Sequence, residues 1–563
     1  MAGHVNMMDD CLISNLPPAT LRSALRLLVS QGASTQQPFV QHIRARFREN
    51  PPAFEDPEKL FPEADVVSEA CLAYLAQIRC IFSCKLPRES FPYLRHFLEA
   101  IPRARVRWTE DSELATLLAK FDGDVVQAVQ ALKESCPEPT PKLLGLINSL
   151  LASLGNCRDY CEGLHPPLPF PFSRARRQLS DVLAILFPQY ALTATATNGS
   201  VLTLPAKPTE KRAIETFQLG SFNVPRLFNG LWQLSSPSWG SGTARSQEAA
   251  LLHAVERGLT ATDMADHYGD AELIYGDFRR KLAPGIRDAV YAATKWCIFS
   301  PVPKPVTTPF VLDAVRERCR RLGGRVELLQ FHWHDYSDKA YLDVLAELVR
   351  ITKSHPELVS AIGLCNFDSE HVEESCKHLL AETGSVGIVS NQIQFSLVDA
   401  RPLRKMTRVC EQYGLKLLTY GSFCGGFLSE KWLRQPAPEL YLEPNNLTPS
   451  QRKYLDMILS WGTWDEFQAL LERLSSAGRK HGVSLTNAAT RWVLQQPAVG
   501  AVIVGTRLGV SDRVDENLKV FEFRLDDDDV LDIDNIALGS SREKMTALFD
   551  SLGDCGNEYR KMH

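Results

Sequence analysis

Ala289-Val290-Tyr291-Ala292-Ala293-Thr294-Lys295 and Val326-Glu327-Leu328-Leu329-Gln330-Phe331-His332 decide the fold. Each is a short β-branched or aromatic run that ends on a polar residue. Between them, Pro309 to Leu322 carries a helical pattern. The same unit recurs on both sides. Further runs are Leu259 to Thr262, Ser360 to Leu364, Gly387 to Ser390 and Lys416 to Thr419. Further helical segments are Asp270 to Leu282, Lys339 to Thr352 and Ser369 to Glu382. Strand and helix in alternation predict a parallel sheet with right-handed crossovers, its strands covered by helices.

The polar residues closing these runs are Asp263, Lys295, His332, Asn366, Gln392 and Tyr420. They are separated by 32, 37, 34, 26 and 28 residues, about one βαβ unit each. Polar groups at the C-terminal ends of consecutive parallel strands point to a (β/α)8 barrel, a TIM barrel, whose active sites occupy that face. An open doubly wound sheet is the alternative. It usually carries a G-x-G-x-x-G turn after its first strand, and the chain has none. Its richest glycine loop, Gly421-Ser422-Phe423-Cys424-Gly425-Gly426, comes late and lacks that spacing.

Four ionisable groups fall on three neighbouring strand ends: Asp263 with Tyr268, then Lys295, then His332. A phenol beside an ammonium can have its pKa pulled down from about 10 and serve as a proton donor. Asp263 would hold Lys295 in place and keep it charged. A neutral imidazole at His332 would hydrogen-bond a carbonyl and polarise it. The set holds no strong nucleophile. His332 and His334 share a side only if their strand continues, with no third ligand evident, so no metal site is expected. Proton transfer to a carbonyl, coupled to hydride from a cofactor, fits these groups.

The run Asp263-Met264-Ala265-Asp266-His267-Tyr268-Gly269 resembles a signature of the aldo-keto reductases. So do Thr294-Lys295, Leu329-Gln330-Phe331-His332, Ile362-Gly363-Leu364-Cys365-Asn366-Phe367, Asn391-Gln392, Tyr420-Gly421-Ser422 and Arg513-Val514-Asp515-Glu516-Asn517. The likeness covers residues 216 to about 530. It implies a barrel that binds NADPH in an extended pose and reduces an aldehyde or ketone. Tyr268 would be the general acid, Lys295 and Asp263 its tuning pair, and His332 the group that orients the carbonyl. Asn366 and Gln392 would bond the nicotinamide carboxamide, and Tyr420 would stack on its ring. Arg507 and Arg513 would meet the 2′-phosphate of NADP. Glu516 and Asn517 would contact adenine, with Trp232, Phe423 and Gly505 also at the cofactor. Three positions depart from the pattern: Cys365 and Gly421 stand where serines are usual, and Leu508 where Ser or Thr is. The alternative implied is a cofactor-binding redox sensor with little turnover, coupled to a partner through the N-terminal half.

Net charge is −5, with 62 basic against 67 acidic residues, which argues against nucleic-acid binding through bulk charge. No apolar stretch nears the roughly 20 residues of a membrane span. The first residues lack a basic start and an apolar run. The expectation is a soluble cytoplasmic protein. Fourteen cysteines, scattered through apolar segments, predict free buried thiols. The pairs Cys80/Cys84 and Cys157/Cys161 have helix-face spacing rather than the usual zinc knuckle.

Residues 1–190 predict an all-α domain of unassigned role, a module for a protein partner or for self-association. Leu21, Leu25 and Leu28 mark one helix; Leu143, Ile147, Leu150 and Leu154 mark another; Arg177 to Phe187 is a third. Phe121 to Leu132 resembles the last helix of a ubiquitin-associated domain, with a Gly-Asp turn at 123–124 and a preceding helix over 113–120. Pro166 to Pro171 reads as a linker or a polyproline II segment. Arg174, Arg176 and Arg177 read as a solvated basic patch. Residues 191–215 are expected to be a flexible linker, 216–540 the barrel and 541–563 a C-terminal tail.

Overall fold

The structure is a computed structural model. It describes residues 12–63, 65–135, 137–190, 201–203, 214–236, 239–240, 242–441 and 447–560. The expected linker lies largely outside the described residues. Its described parts, 201–203 and 214–215, pair with the barrel: the Leu202 amide donates to Lys281, its carbonyl accepts from Ala283, and Glu215 pairs with Arg226 and Arg491.

Eight parallel strands close into a barrel in the order β10-β3-β4-β5-β6-β7-β8-β9. They are β3 (Leu227–Gly230), β4 (Ala261–Asp263), β5 (Tyr291–Ile298), β6 (Val326–Trp333), β7 (Val359–Cys365), β8 (Ile388–Gln394), β9 (Lys416–Tyr420) and β10 (Val499–Gly505). A hairpin, β1 (Thr216–Leu219) and β2 (Phe222–Pro225), pairs antiparallel outside the barrel. Its Leu219 and Val224 pack with Phe228, Tyr291, Leu328 and Leu418 on the barrel's interior. The hairpin therefore caps the interior with apolar side chains. The opposite end is left for polar ones.

Alternation along each strand does the sorting. On β5, Lys295 faces inward, while Trp296 faces the helical layer against Phe310 and Phe331. On β6, His332 faces inward and Trp333 packs outward on Phe331 and Tyr341. Register places Lys295 beside Gln330, His332 beside Cys365, and Cys365 beside Gln392.

The N-terminal half is all helical, with an apolar core separate from the barrel's. Its helices are α1 (Pro18–Ser30), α2 (Ala33–Glu49), α3 (Pro57–Leu60), α4 (Glu69–Ser83), α5 (Pro87–Arg103), α6 (Glu113–Glu134), α7 (Pro141–Gly163) and α8 (Ser173–Leu186). The Leu143 to Leu154 stripe lies on α7, capped by Thr140. The ubiquitin-associated likeness does not survive. Residues 113–134 are one unbroken helix, and Asp122, Gly123 and Asp124 lie buried within it rather than at a turn. The reason is side-chain pairing. Asp122 accepts the backbone N–H groups of Arg174 and Ala175 at the start of α8, and Asp124 pairs with Arg79. A short polar residue that favours turns in isolation stays helical when its carboxylate has a partner across the bundle.

The basic patch is corrected at two of its three positions, Arg176 being exposed as expected. Arg174 is buried against Asp270 of the barrel, and Arg177 pairs with both Asp270 and Asp277. The described cysteines are all free. Burial pushes the Cys157 and Cys161 thiols up to about 12 and about 11. Residues 543–552 and 557–560 are helical, and Met545, Leu548 and Cys555 join the barrel core. Among the described residues no helix is long and apolar enough to cross a membrane.

Candidate active site

A cleft of about 990 Å³ opens at the C-terminal ends of the strands. Asp263, Tyr268, Lys295 and His332 line it. So do Trp232, Asn366, Gln392, Tyr420, Phe423, Gly505, Arg507, Arg513, Glu516 and Asn517.

Asp263 is the hub. Lys295 Nζ donates to its Oδ2 at 2.6 Å and to the Met264 carbonyl at 2.9 Å. Its other oxygen accepts from Gln330 and Gln392, each at 2.8 Å. Lys295 Nζ lies 4.7 Å from the centre of the Tyr268 ring. Both charged side chains are 4% exposed, and this pairing offsets the cost of burying them. Burial alone would lower the Lys295 pKa, but Asp263 outweighs it and holds the ammonium well above its ordinary value. The expected lowering of Tyr268 is not the net result. Burial raises the phenol, and Lys295 only partly opposes it. Tyr268 therefore keeps its proton at neutral pH, which the role expected of it requires.

Gln330 is a site residue that the sequence reading passed over. Its signal was present: one amide inside the apolar run of β6, in register with Lys295. It also accepts a 2.7 Å hydrogen bond from Gln392. Asn366 follows β7 with φ of 58°, an unusual left-handed value for a residue other than glycine. Its side-chain oxygen accepts from the Tyr420 hydroxyl at 2.8 Å. The carbonyl of Asn366 accepts from Arg560 at 3.0 Å, so residues near the chain end reach the site.

Aromatic rings divide between cleft and core. Trp232 and Trp239 stand together at the cleft, ring centres 4.8 Å apart. Phe299 lies 5.4 Å from the His332 ring and 4.9 Å from that of His267. Trp296 and Trp333 turn away from the cleft into the core, as alternation along β5 and β6 dictates. Arg507 donates to the Trp239 carbonyl. Glu516 holds Asn487 and Lys519.

Gly421 has a structural reason. Its φ is +73°, and a Cβ there would stand 2.3 Å from the Tyr454 hydroxyl. Tyr454 and its neighbour Lys453 belong to the helix Pro449–Trp461, which runs along the cleft. Lys453 Nζ sits 5.5 Å from the Tyr420 ring. No sequence signal picked out this helix.

A family model described as the aldo/keto reductase family matches residues 226–538. Among curated relatives, aldo-keto reductase YhdN of Bacillus subtilis is 23% identical over 291 residues, covering 50% of this chain and 81% of that one. Versiconal hemiacetal acetate reductase of Aspergillus parasiticus is 21% identical over 334 residues, covering 54% and 92%. Flagellar radial spoke protein 5 of Chlamydomonas reinhardtii is 28% identical over 181 residues; that match spans 30% of this chain and only 33% of the relative. A solved thermostable aldo-keto reductase in complex with epalrestat is 20% identical, with a TM-score of 0.43, covering 57% of this chain and all of that one. The family model spans more than half of the chain, and the strand ends it covers carry the residues assembled above: this chain belongs to the aldo-keto reductase family.

Proposed function

We propose that the protein reduces an aldehyde or ketone with NADPH and that Tyr268 gives the proton. The observation that carries this is the buried Lys295–Asp263 pair set beneath the Tyr268 ring, in the same cleft as His332. Lys295 lies close enough to stabilise negative charge on the phenol oxygen as its proton leaves. Asp263 keeps Lys295 charged and in place, and Gln330 and Gln392 fix Asp263 in turn. His332 is the side chain to donate a hydrogen bond to a carbonyl at the same point.

The cleft residues fit a dinucleotide. Amides from Asn366 and Gln392 stand at the catalytic end, beside a Tyr420 ring, and Arg507 and Arg513 line the same cleft. Gly505 lines the cleft too, and its missing Cβ makes room for the Gln233 side chain, which a Cβ would meet at 2.8 Å. When bound, NADPH supplies the hydride. Asn366 and Gln392 would orient its carboxamide, Tyr420 would cover one face of the ring, and the two arginines would take the 2′-phosphate. Glu516 and Asn517 would take the adenine. A small carbonyl compound would enter between Trp232, Phe299 and His332.

The test is cofactor binding and turnover by the full chain. NADPH titration should quench intrinsic fluorescence, and a panel of aldehydes and ketones should contain a substrate. Tyr268→Phe should bind NADPH normally and lose about 100-fold or more in turnover. Equal turnover in the variant would exclude Tyr268 as the acid. Cofactor binding without turnover on any carbonyl would favour the redox-sensor alternative.

A further inference from the structure

Tyr268 is gripped on both sides by the N-terminal helical domain. On the preceding residue, His267 Nδ1 lies 3.3 Å from Glu134 Oε1 and 3.3 Å from Gln130 Nε2, both on α6. On the following residue, Gly269 comes so close to α6 that a Cβ would stand 3.0 Å from Val126 Cγ1. Two residues on, Asp270 is fully buried and receives Arg174 through three hydrogen bonds of 2.7 to 3.2 Å. Arg177 adds a fourth at 3.1 Å. Arg174 also donates to the Leu234 carbonyl, and Gln127 to that of Ser235, on the loop after β3.

Asp270 sits at the N-cap of the helix Ala271–Lys281, yet its side chain makes no capping bond. Its carboxylate is turned to the other domain instead. The hydrogen bonds described for it come from Arg174 and Arg177, outside the barrel. A bidentate guanidinium–carboxylate pair fixes orientation as well as distance, and here it fixes the residue two positions from the phenol.

We propose that the helical domain is a working part of the active site, with Arg174 through Asp270 and Glu134 through His267 acting as positioning residues for Tyr268. This rests on the reading of Tyr268 as the acid. The domain need not touch substrate. It sets the loop 263–270, and with it the approach of the phenol to the reacting carbonyl. A misplacement of about 1 Å is enough to cost about a hundredfold in rate.

The test uses the full chain with four substitutions. Arg174→Met and Glu134→Gln remove the grip; Arg174→Lys keeps one charge. Arg320→Ala is the control. Arg320 holds Asp181 of α8 across the same domain interface, and its described contacts include no residue of the loop 263–270. Arg174→Met should lower kcat about tenfold or more while NADPH affinity stays within about twofold. Arg174→Lys should recover part of that loss, and Arg320→Ala should leave kcat unchanged. Glu134→Gln, a milder change, should lower kcat with the same split if Arg174→Met fails to fold. Wild-type kcat in both Arg174→Met and Glu134→Gln would overturn the proposal. So would an equal loss in Arg320→Ala, since general loosening of the interface would then suffice. If the wild type turns over no carbonyl, hydrogen exchange of residues 263–270 still decides the grip. It should quicken in Arg174→Met and not in Arg320→Ala; equal exchange in both would sink it.

Discussion

In the proposed mechanism, the Lys295–Asp263 ion pair serves both stability and chemistry. Each is 4% exposed, so neither charge has water to fall back on. Lys295→Met would leave Asp263 with two neutral amide donors and no cation. We expect a loss of about 3 kcal/mol in unfolding free energy, read by denaturant titration. Lys295→Met with Asp263→Asn should recover much of that stability without recovering turnover. Asp263, Lys295 and His332 were readable in the sequence because each follows an apolar run, where a charged side chain has no packing reason to be, and Tyr268 because it falls in the Asp263 to Gly269 signature. Gln330 escaped because it lies inside the run, one residue short of the aromatic that precedes His332. The direction of the Tyr268 shift escaped too: a sequence gives the neighbours of a group but not the depth at which it is buried.

At the scale of elements, strand alternation explains most of what the sequence revealed. β5 and β6 run through Lys295 and His332 rather than ending there, so every second residue past those points also faces the cleft or the helices. That is why Cys297 lines the cleft and Trp296 does not. The barrel's first and last strands, β3 and β10, were not among the runs singled out, because β3 is four residues long and β10 reads as a plain apolar stretch. The helix Pro449–Trp461 presents a further prediction. Gly421→Ala would place a methyl against Tyr454 and impose a left-handed backbone on alanine. The expected cost is ~2 kcal/mol in stability, with weakened NADPH binding as the helix is displaced from the cleft. Thermal unfolding and cofactor titration measure the two effects. An unchanged melting temperature would mean that Tyr454 moves aside freely.

At the scale of the whole molecule, two apolar cores meet across a polar seam. His267 is a titrating group in that seam. It faces Glu134, Lys133 and Gln130 from α6, Asp266 beside it, and the Phe299 ring; Arg318 holds Asp266 from behind. Burial alone would lower the His267 pKa, but Asp266 and Glu134 outweigh it and raise it. A raised histidine contributes stability that is fully present below its unfolded pKa of about 6.5 and is lost as pH climbs through the folded value. The melting temperature of the full chain should therefore fall as pH rises above about 6.5, and His267→Gln should flatten that slope. An identical slope in the variant would remove His267 from the account. This seam was not legible beforehand. Arg174 and Asp270 are 96 residues apart, and nothing in either neighbourhood announces the other. The most direct measurement of the central claim is a single turnover with NADPH carrying deuterium at the nicotinamide C4 hydride position. The account predicts deuterium on the carbinol carbon of the product, formed by the wild type and lost at least about a hundredfold in Tyr268→Phe. A product without the label, or equal labelling by the variant, would contradict it.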